Sequence, residues 1–553
     1  MSARRRFLNT AALVLIVAVA SALGGESRFG DEHAAAAAPN ASPGKLCVGS
    51  GSGCYATIQA AADAAHDGNT ITVEPGTFAG GITIDVSIRL VGAGAGRTVI
   101  SGGGPVLTIG EFGASDEPTV SIDGVTITGG VTRSSPESTP FTGQEGVFAA
   151  GGGVEIPPNA DFSGGARVTI TNSVISGNRV APTDTVPGDV QCPSGDPCPF
   201  AFAGGGGIDS WGTLTLANTR VSNNRVGSAS GLSAVTSDAD GGAITSFIGP
   251  LTISGSTIDG NEASATGPNG RFAEGGGIAA TGGSVTLSDS SLTDNTALLE
   301  ASLPNSVEQL ANGGGLHVAG DVSKATIANT TIAGNSVSMT NSVGDAEAFA
   351  GGLLVDLGID FTMSNSVVSG NSVSSRTLAG SSGDAEGDSG AGALLGTISN
   401  SRFTANSVRA TSAAGNAAAF AGALIDFGSI TNSVLDRNQV HASSPTGTAF
   451  AAGGAIVVDE PGLTLRNSEV SGNTVDADAA SGSAQGGGIF DAAIEDGPPG
   501  GPLTLLSSAI TGNALSGGPG ISLQGGGLYL RGEPLTLRNS EMARNVPNNC
   551  FGC

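Results

Sequence analysis

The sequence predicts an all-β solenoid that opens with a short helix, and three observations carry that prediction. A phrase recurs along the chain: GGGIAATGGSVTLSDSSLTDN from Gly275, GGGLHVAGDVSKATIANTTIAGN from Gly313, GGAIVVDEPGLTLRNSEVSGN from Gly453 and GGGLYLRGEPLTLRNSEMARN from Gly525. Its terminal asparagines are Asn178, Asn224, Asn261, Asn295, Asn335, Asn371, Asn406, Asn438, Asn473, Asn513 and Asn545. They recur roughly every 32 to 46 residues, the range of stacked repeats. Within each phrase apolar and polar residues alternate with the period of a half-buried strand. Glycine reaches 91 of 553 residues, more than twice the usual share of about 7%, while aromatics are only 4%. Disorder, the other outcome for so Gly-rich a chain, is disfavoured because the alternation persists to the C-terminus.

The formal charge is −26, with 22 basic residues. A phosphate-binding surface needs clustered Lys and Arg, and none exists beyond the N-terminus, so nucleic acid is excluded as a partner. The acidic surplus suits a β surface kept soluble, and a monomer is expected.

In chain order, residues 1–38 read as an export signal. Arg4, Arg5 and Arg6 precede an apolar run from Leu8 to Leu23, and Ala20, Ser21 and Ala22 offer a small-residue cleavage site. The string RRRFLN also resembles the twin-arginine signal, so both export routes stay open. After signal removal no stretch is apolar and long enough to span a membrane as a helix. A secreted or cell-surface location follows. The six cysteines form three close pairs, Cys47/Cys54, Cys192/Cys198 and Cys550/Cys553, each read as a local disulfide in an exported protein. A metal or redox role for the terminal C-x-x-C is the competing reading, but one such motif lacks the second ligand pair zinc requires.

Residues 39–54 are a linker with the first cysteine pair, and 55–130 hold the opening coils. Ile58, Ala61, Ala62 and Ala65 recur at helical spacing, which predicts a helix from about Ala56 to Ala65 capping the apolar end of the solenoid. The wording TIQAAADAAHDGNTITVEPGTF, followed by LVGAGAG, resembles the start of the pectin-lyase-like superfamily. The repeats from about Ala150 and the tail NVPNNCFGC are similar to exported β-helix proteins of the CSLREA type and to surface and autotransporter-like proteins. The resemblance implies a right-handed parallel β-helix. It says little about activity, since that fold hosts lyases, hydrolases, adhesins and inert shafts.

Residues 131–545 are the repeats, followed by a cysteine tail at 546–553. In LTLRNSEVSGN, Leu463, Leu465 and Val470 should face inward and Thr464 outward. The residues at the bend, Asn172, Asn218, Asp289, Asn329, Asn365, Asn400, Asn432, Asn467 and Asn539, suit a left-handed backbone. Both asparagine columns are expected to be structural ladders. Between repeats lie variable segments of about 12 to 26 residues, where insertions collect. Phe148, Phe202, Phe272, Phe349, Phe420 and Phe450 near their ends should form one stacked column.

Chemistry is expected on the outward column after the glycines: Glu155, Asp209, Thr245, Ala279, His317, Leu354, Leu395, Ile425, Val457, Phe490 and Tyr529. Its apolar half is covered by loops, or else is a partner-binding stripe. Its polar end offers Glu155 and Asp209 on adjacent coils, near the ~5 Å separation of a retaining glycosidase pair. Trp211 is placed to stack on a sugar, and Arg179 and Arg225 to clamp an acidic one. The pectate-lyase Asp clusters and the polygalacturonase Asp-Asp and Gly-His-Gly phrases are missing, and His317 looks alone on its face. No cofactor is required. Ca²⁺ is the candidate ion, at Asp240, Glu274, Glu347 and Glu386 just before the glycine clusters; plain solubilising acids are the other reading. The function read from the chain is a glycan- or surface-binding protein, with a polysaccharide lyase or glycoside hydrolase as the alternative.

Overall fold

The computed structural model describes residues 45–115, 117–133, 146–182, 200–227, 236–266, 270–305, 308–491 and 501–553. The chain is a parallel β-helix. A 14-stranded sheet holds one strand from each coil in chain order, from Gly76–Ala79 to Glu541–Ala543. Eleven of these strands precede a repeat asparagine, and three belong to the irregular opening coils. A 24-stranded sheet forms the opposite wall, and the inward residues of both walls make the main core. Leu463, Leu465 and Val470 are at most 1% exposed, as the period of two requires.

The cap helix α1 is Ile58–Asp63, shorter at both ends than its spacing predicts. Thr57 is its N-cap, with Oγ1 accepting from the Ala60 N–H at 3.1 Å. Ile58, Ala61 and Ala62 are buried against the first coils. Cys47–Cys54 and Cys550–Cys553 are bonded, while Cys192 and Cys198 lie outside the described residues.

Two asparagine columns behave differently. At the bend, Asn172, Asn329, Asn467 and Asn539 have φ of 50°, 51°, 48° and 52°, and Gly255 and Ser507 fill the same place in two other coils. These residues are exposed and supply the left-handed backbone, and at some coils they also bond along the stack: Asn329 Nδ2 donates to Asp289 Oδ1 at 3.0 Å and Asn467 Nδ2 to Asn432 Oδ1 at 3.2 Å. The repeat asparagines are buried and form a continuous ladder: the N–H and Nδ2 of Asn335 both donate to Oδ1 of Asn371, and so on to Asn545. The ladder explains the glycines opposite it, because a Cβ on Gly315 would lie 2.6 Å from Gly352 O and 3.0 Å from Asn335. A third ladder runs beside the bend. The Ser366 N–H donates to Ser401 Oγ, and the Ser401 N–H to Ser433 Oγ, at 3.2 and 3.1 Å.

The variable segments are largely not loops. In a typical coil, Ser336–Asn341 runs out after the ladder asparagine and Ala346–Phe349 returns to the glycines. Each such strand pairs in parallel with its counterpart in neighbouring coils, building a 20-stranded sheet. Outgoing and returning strands enclose a second, thin core of Ala and Val, including Val337, Ala348, Val373 and Ala419. The molecule is therefore a barrel with a continuous arm along one side. Small residues permit it, because two strand layers can close tightly around Ala.

On the open side of the barrel, the central outward rank of the 24-stranded sheet reads Ser121, Thr169, Thr215, Thr252, Thr286, Thr326, Thr362, Thr397, Ser429, Thr464, Thr504 and Thr536, each in register with the next.

Candidate functional site: a buried seam and an open groove

The column after the glycines points away from the main core, as the alternation predicts, but it is largely closed off from solvent, with Tyr529 at its C-terminal end half-buried. The arm folds over it. Glu155, Asp209, Thr245 and His317 are 4%, 1%, 0% and 6% exposed, and Leu354, Val457 and Phe490 are equally covered. The expectation of an open polar end is thus corrected, while the apolar half is covered, as one of its two readings held. In the apolar half, Phe349 packs with Leu354, and Phe420 with Ile425, Val457 and Phe490, so covering rather than a bare stripe is the outcome. Leu395 is not a member: Leu354 is in register with Ala393, two positions earlier, because the repeat there reads GAGALL instead of GGGI.

The phenylalanines fall in two ranks, not one. Phe148, Phe202, Phe272 and Phe450 share a rank, and Phe349 and Phe420 stand two positions closer to the glycines. Phe148 stacks on Phe202 at 4.9 Å. Trp211 is buried, stacks on Phe247 at 4.3 Å and meets Phe162 edge-on, so it belongs to an aromatic cluster and not to a sugar-binding surface.

Glu155 and Asp209 are register partners on adjacent coils, as expected. Arg179 and Arg225 are also register partners, but they project from the exposed side of the arm, and Arg225 pairs with Glu262 at 2.8 Å. Acid pair and arginine pair therefore do not share a surface.

His317 is not alone. Its Nδ1 lies 3.3 Å from Glu274 of the arm and its Nε2 lies 3.6 Å from Asp356 of the barrel. Asn312 Nδ2 donates to the other Glu274 oxygen at 3.2 Å. Burial works against a charged His317, but Glu274 and Asp356 outweigh it and raise its pKa to about 10. Burial likewise opposes ionised Glu274, yet the His317 charge holds its pKa below the ordinary glutamate value. Upstream, burial pushes the Asp238 carboxyl up to about 8 despite Arg271 nearby. Burial, with Glu274 and Asp238 as neighbours, also raises Asp240 well above the carboxylate range. This buried polar stretch joins arm to barrel. Sequence reading missed it because its members come from segments about forty residues apart.

The four acids named for calcium divide into two pairs, Asp240 with Glu274 and Glu347 with Glu386, each in register. Among the described residues no three His, Cys, Asp or Glu side chains lie together in a metal-holding arrangement.

An open site occurs where the 24-stranded and 14-stranded walls meet. A groove of about 370 Å³ is lined by Ala95, Asn172, Val174, Asn218, Arg220 and Thr257. The bend geometry turns the Asn172 and Asn218 side chains to the outside. Arg220 is held by Asp259, Nε to Oδ1 at 2.8 Å, which fixes its guanidinium along the groove wall. Asn172 Nδ2 donates to Asp123 at 2.8 Å, and this bond, ahead of Thr171 and Arg89, keeps Asp123 below its ordinary value.

Fold and site together define an arm-bearing parallel β-helix with a sealed seam and an open polar groove. No family model matches the chain, and no curated protein sequence matches it. Among solved structures it is similar to the A-module of mannuronan C-5 epimerase AlgE6 from Azotobacter vinelandii, at 16% identity over 87% of this chain and 94% of that one, with a TM-score of 0.30. The catalytic domain of a GH87 alpha-1,3-glucanase in complex with nigerose is 13% identical over 92% of this chain and 71% of that one, with a TM-score of 0.28. Identities and TM-scores this low carry no inference about ligand or reaction.

No helix among the described residues is long and apolar enough to cross a membrane.

Proposed function

We propose that the chain is an exported β-helix, of the pectin-lyase-like kind its opening coils resemble, that binds a glycan at its surface without cleaving it. The observation that carries this reading is the open groove at Asn172, Asn218, Arg220 and Thr257. Amide, guanidinium and hydroxyl groups are the donors and acceptors that sugar hydroxyls require. The buried state of Glu155 and Asp209 supports binding over catalysis, because a glycosidic bond must reach both carboxyls. The two bonded cysteine pairs suit an oxidising compartment.

The test is a binding screen of residues 39–553 against neutral and acidic polysaccharides, repeated with Asn218→Gly and Arg220→Ala. Glycine keeps the left-handed backbone at position 218 while removing the amide. Affinity for the bound glycan should drop about tenfold or more in the double variant. Equal binding by both proteins places the ligand elsewhere, and no glycan bound at all removes the reading.

The enzyme alternative, a polysaccharide lyase or glycoside hydrolase, rests on the register pairing of Glu155 with Asp209. It requires the arm to uncover them.

A further inference from the structure

The rank of hydroxyls from Ser121 to Thr536 is unlike any other outward rank of the molecule. It runs through twelve successive coils without a charged, aromatic or aliphatic side chain, and ends at Arg89, the next residue in register before Ser121. Strand propensity explains β-branched residues on an exposed sheet, but it does not explain this uniformity. Of the two outward ranks of the 14-stranded sheet, one includes Val174, Arg220, Val367, Arg402, Glu469 and Ala509, and the other, though rich in Ser and Thr, is broken by Asp259, Ala333 and Asp436.

The rank is not an internal ladder either. The asparagine and serine columns close their hydrogen bonds coil to coil, whereas along this rank the only hydroxyl-to-hydroxyl bond among the described residues is Thr362 to Thr326, at 3.5 Å. The remaining hydroxyls face outward on half-buried or exposed residues. Beside the six from Thr215 to Thr397 stands a rank of small side chains, Ala217, Ser254, Ser288, Ala328, Ser364 and Ser399, which leaves that part of the surface flat; further on the same rank carries Arg466, Leu506 and Arg538. Charged side chains stand at its other margin, Arg167, Lys324 and Asp360, and near its ends, Asp123, Arg466 and Arg538.

We propose that this face adsorbs to ice. Threonine is stiff at χ1, so a stacked rank holds its hydroxyls and methyls in a fixed array at one strand spacing, ~4.8 Å, over roughly 50 Å. Water bound to one hydroxyl lies within reach of the next, and the repeat of the coils becomes the repeat of the bound water. A solid lattice of water can take up such a layer at little ordering cost, since the protein has already fixed its positions. A sugar chain fits the face less well, because no aromatic side chain in the rank or in the small-residue rank beside it offers a ring for a pyranose to stack on. This inference is independent of the glycan groove, which lies at the bend and not on this face.

The experiment uses fluorescently labelled residues 39–553 and measures uptake into slowly growing ice together with thermal hysteresis. The wild type should enter the ice and depress the freezing point. Thr286→Lys with Thr326→Lys should abolish both effects, while Thr331→Lys, exposed on the 14-stranded sheet, should leave them unchanged. Melting curves of both variants confirm that the fold is retained. Exclusion of the wild type from ice overturns the proposal, as does uptake that survives the double substitution. Adsorption to crystalline cellulose but not to ice, lost in the double variant, also overturns it and assigns the face to a glycan.

Discussion

Asn335 donates twice to a single oxygen, Oδ1 of Asn371, from Nδ2 at 2.9 Å and from its backbone N–H at 3.0 Å. Its own Oδ1 accepts the same two bonds from Asn295, and its Nδ2 reaches back to Leu292 O. Asn335→Leu removes the acceptor for two buried donors, each costing about 1–3 kcal/mol when left unsatisfied. We expect a loss of several kcal/mol in chemical denaturation. Asn329→Gly should cost about 1 kcal/mol or less, since glycine accepts the φ of 51° and only the solvent-exposed bond to Asp289 is lost. Equal effects of the two substitutions would contradict the distinction between ladder and bend.

The buried acids fix the direction of the pH dependence. Asp238 ionises near its ordinary value when unfolded but only at about 8 when folded, so the unfolded state loses its proton first. Its contribution to stability is full below about pH 4 and declines as pH rises to 8; Asp240 acts in the same direction. Asp238→Asn should therefore raise the melting temperature at pH 8 relative to the wild type, with a smaller difference at pH 5. A larger gain at pH 5 would refute the assignment.

The Glu274–His317 contact has the opposite acid limb. His317 contributes stability that is complete below its unfolded pKa and lost as pH rises through about 10, whereas Glu274 contributes stability above its unfolded pKa that is lost as acid protonates it. His317→Gln should lower the melting temperature most between about pH 5 and pH 6.5, with a difference that shrinks as pH rises towards 10. Hydrogen exchange should then quicken in Gly270–Glu274 of the arm before it does in the barrel. Uniform acceleration would mean that the contact does not fasten the arm.

Trp211, the only tryptophan, should report a sealed environment. Its emission should be blue-shifted and protected from acrylamide in the absence and presence of glycan alike. Trp211→Ala should cost about 3–5 kcal/mol of stability. A solvent-exposed emission spectrum quenched by added sugar would return Trp211 to the binding surface.

Much of this architecture is legible in the sequence, and the failures share one physical cause. Leu463 and Leu465 announce the barrel core because a strand has two faces and one of them is apolar. The same periodicity cannot say whether the other face meets water or a second layer. Glu155 and Asp209 therefore look exposed in the sequence, yet they lie under an arm whose Ala- and Val-rich strands resemble loop composition. His317 finds its partners only through register, which depends on how many residues each arm inserts. The serine ladder was written in the repeated Asn-Ser and Asn-Thr pairs, but which hydroxyl bonds which amide depends on the bend angle.

The sealed seam is the central claim, and product release tests it most directly. The wild-type protein should bind a polysaccharide and release no oligosaccharide or unsaturated sugar on long incubation, with Glu155→Gln and Asp209→Asn binding it equally well. Measurable release by the wild type that disappears in either variant would contradict the account.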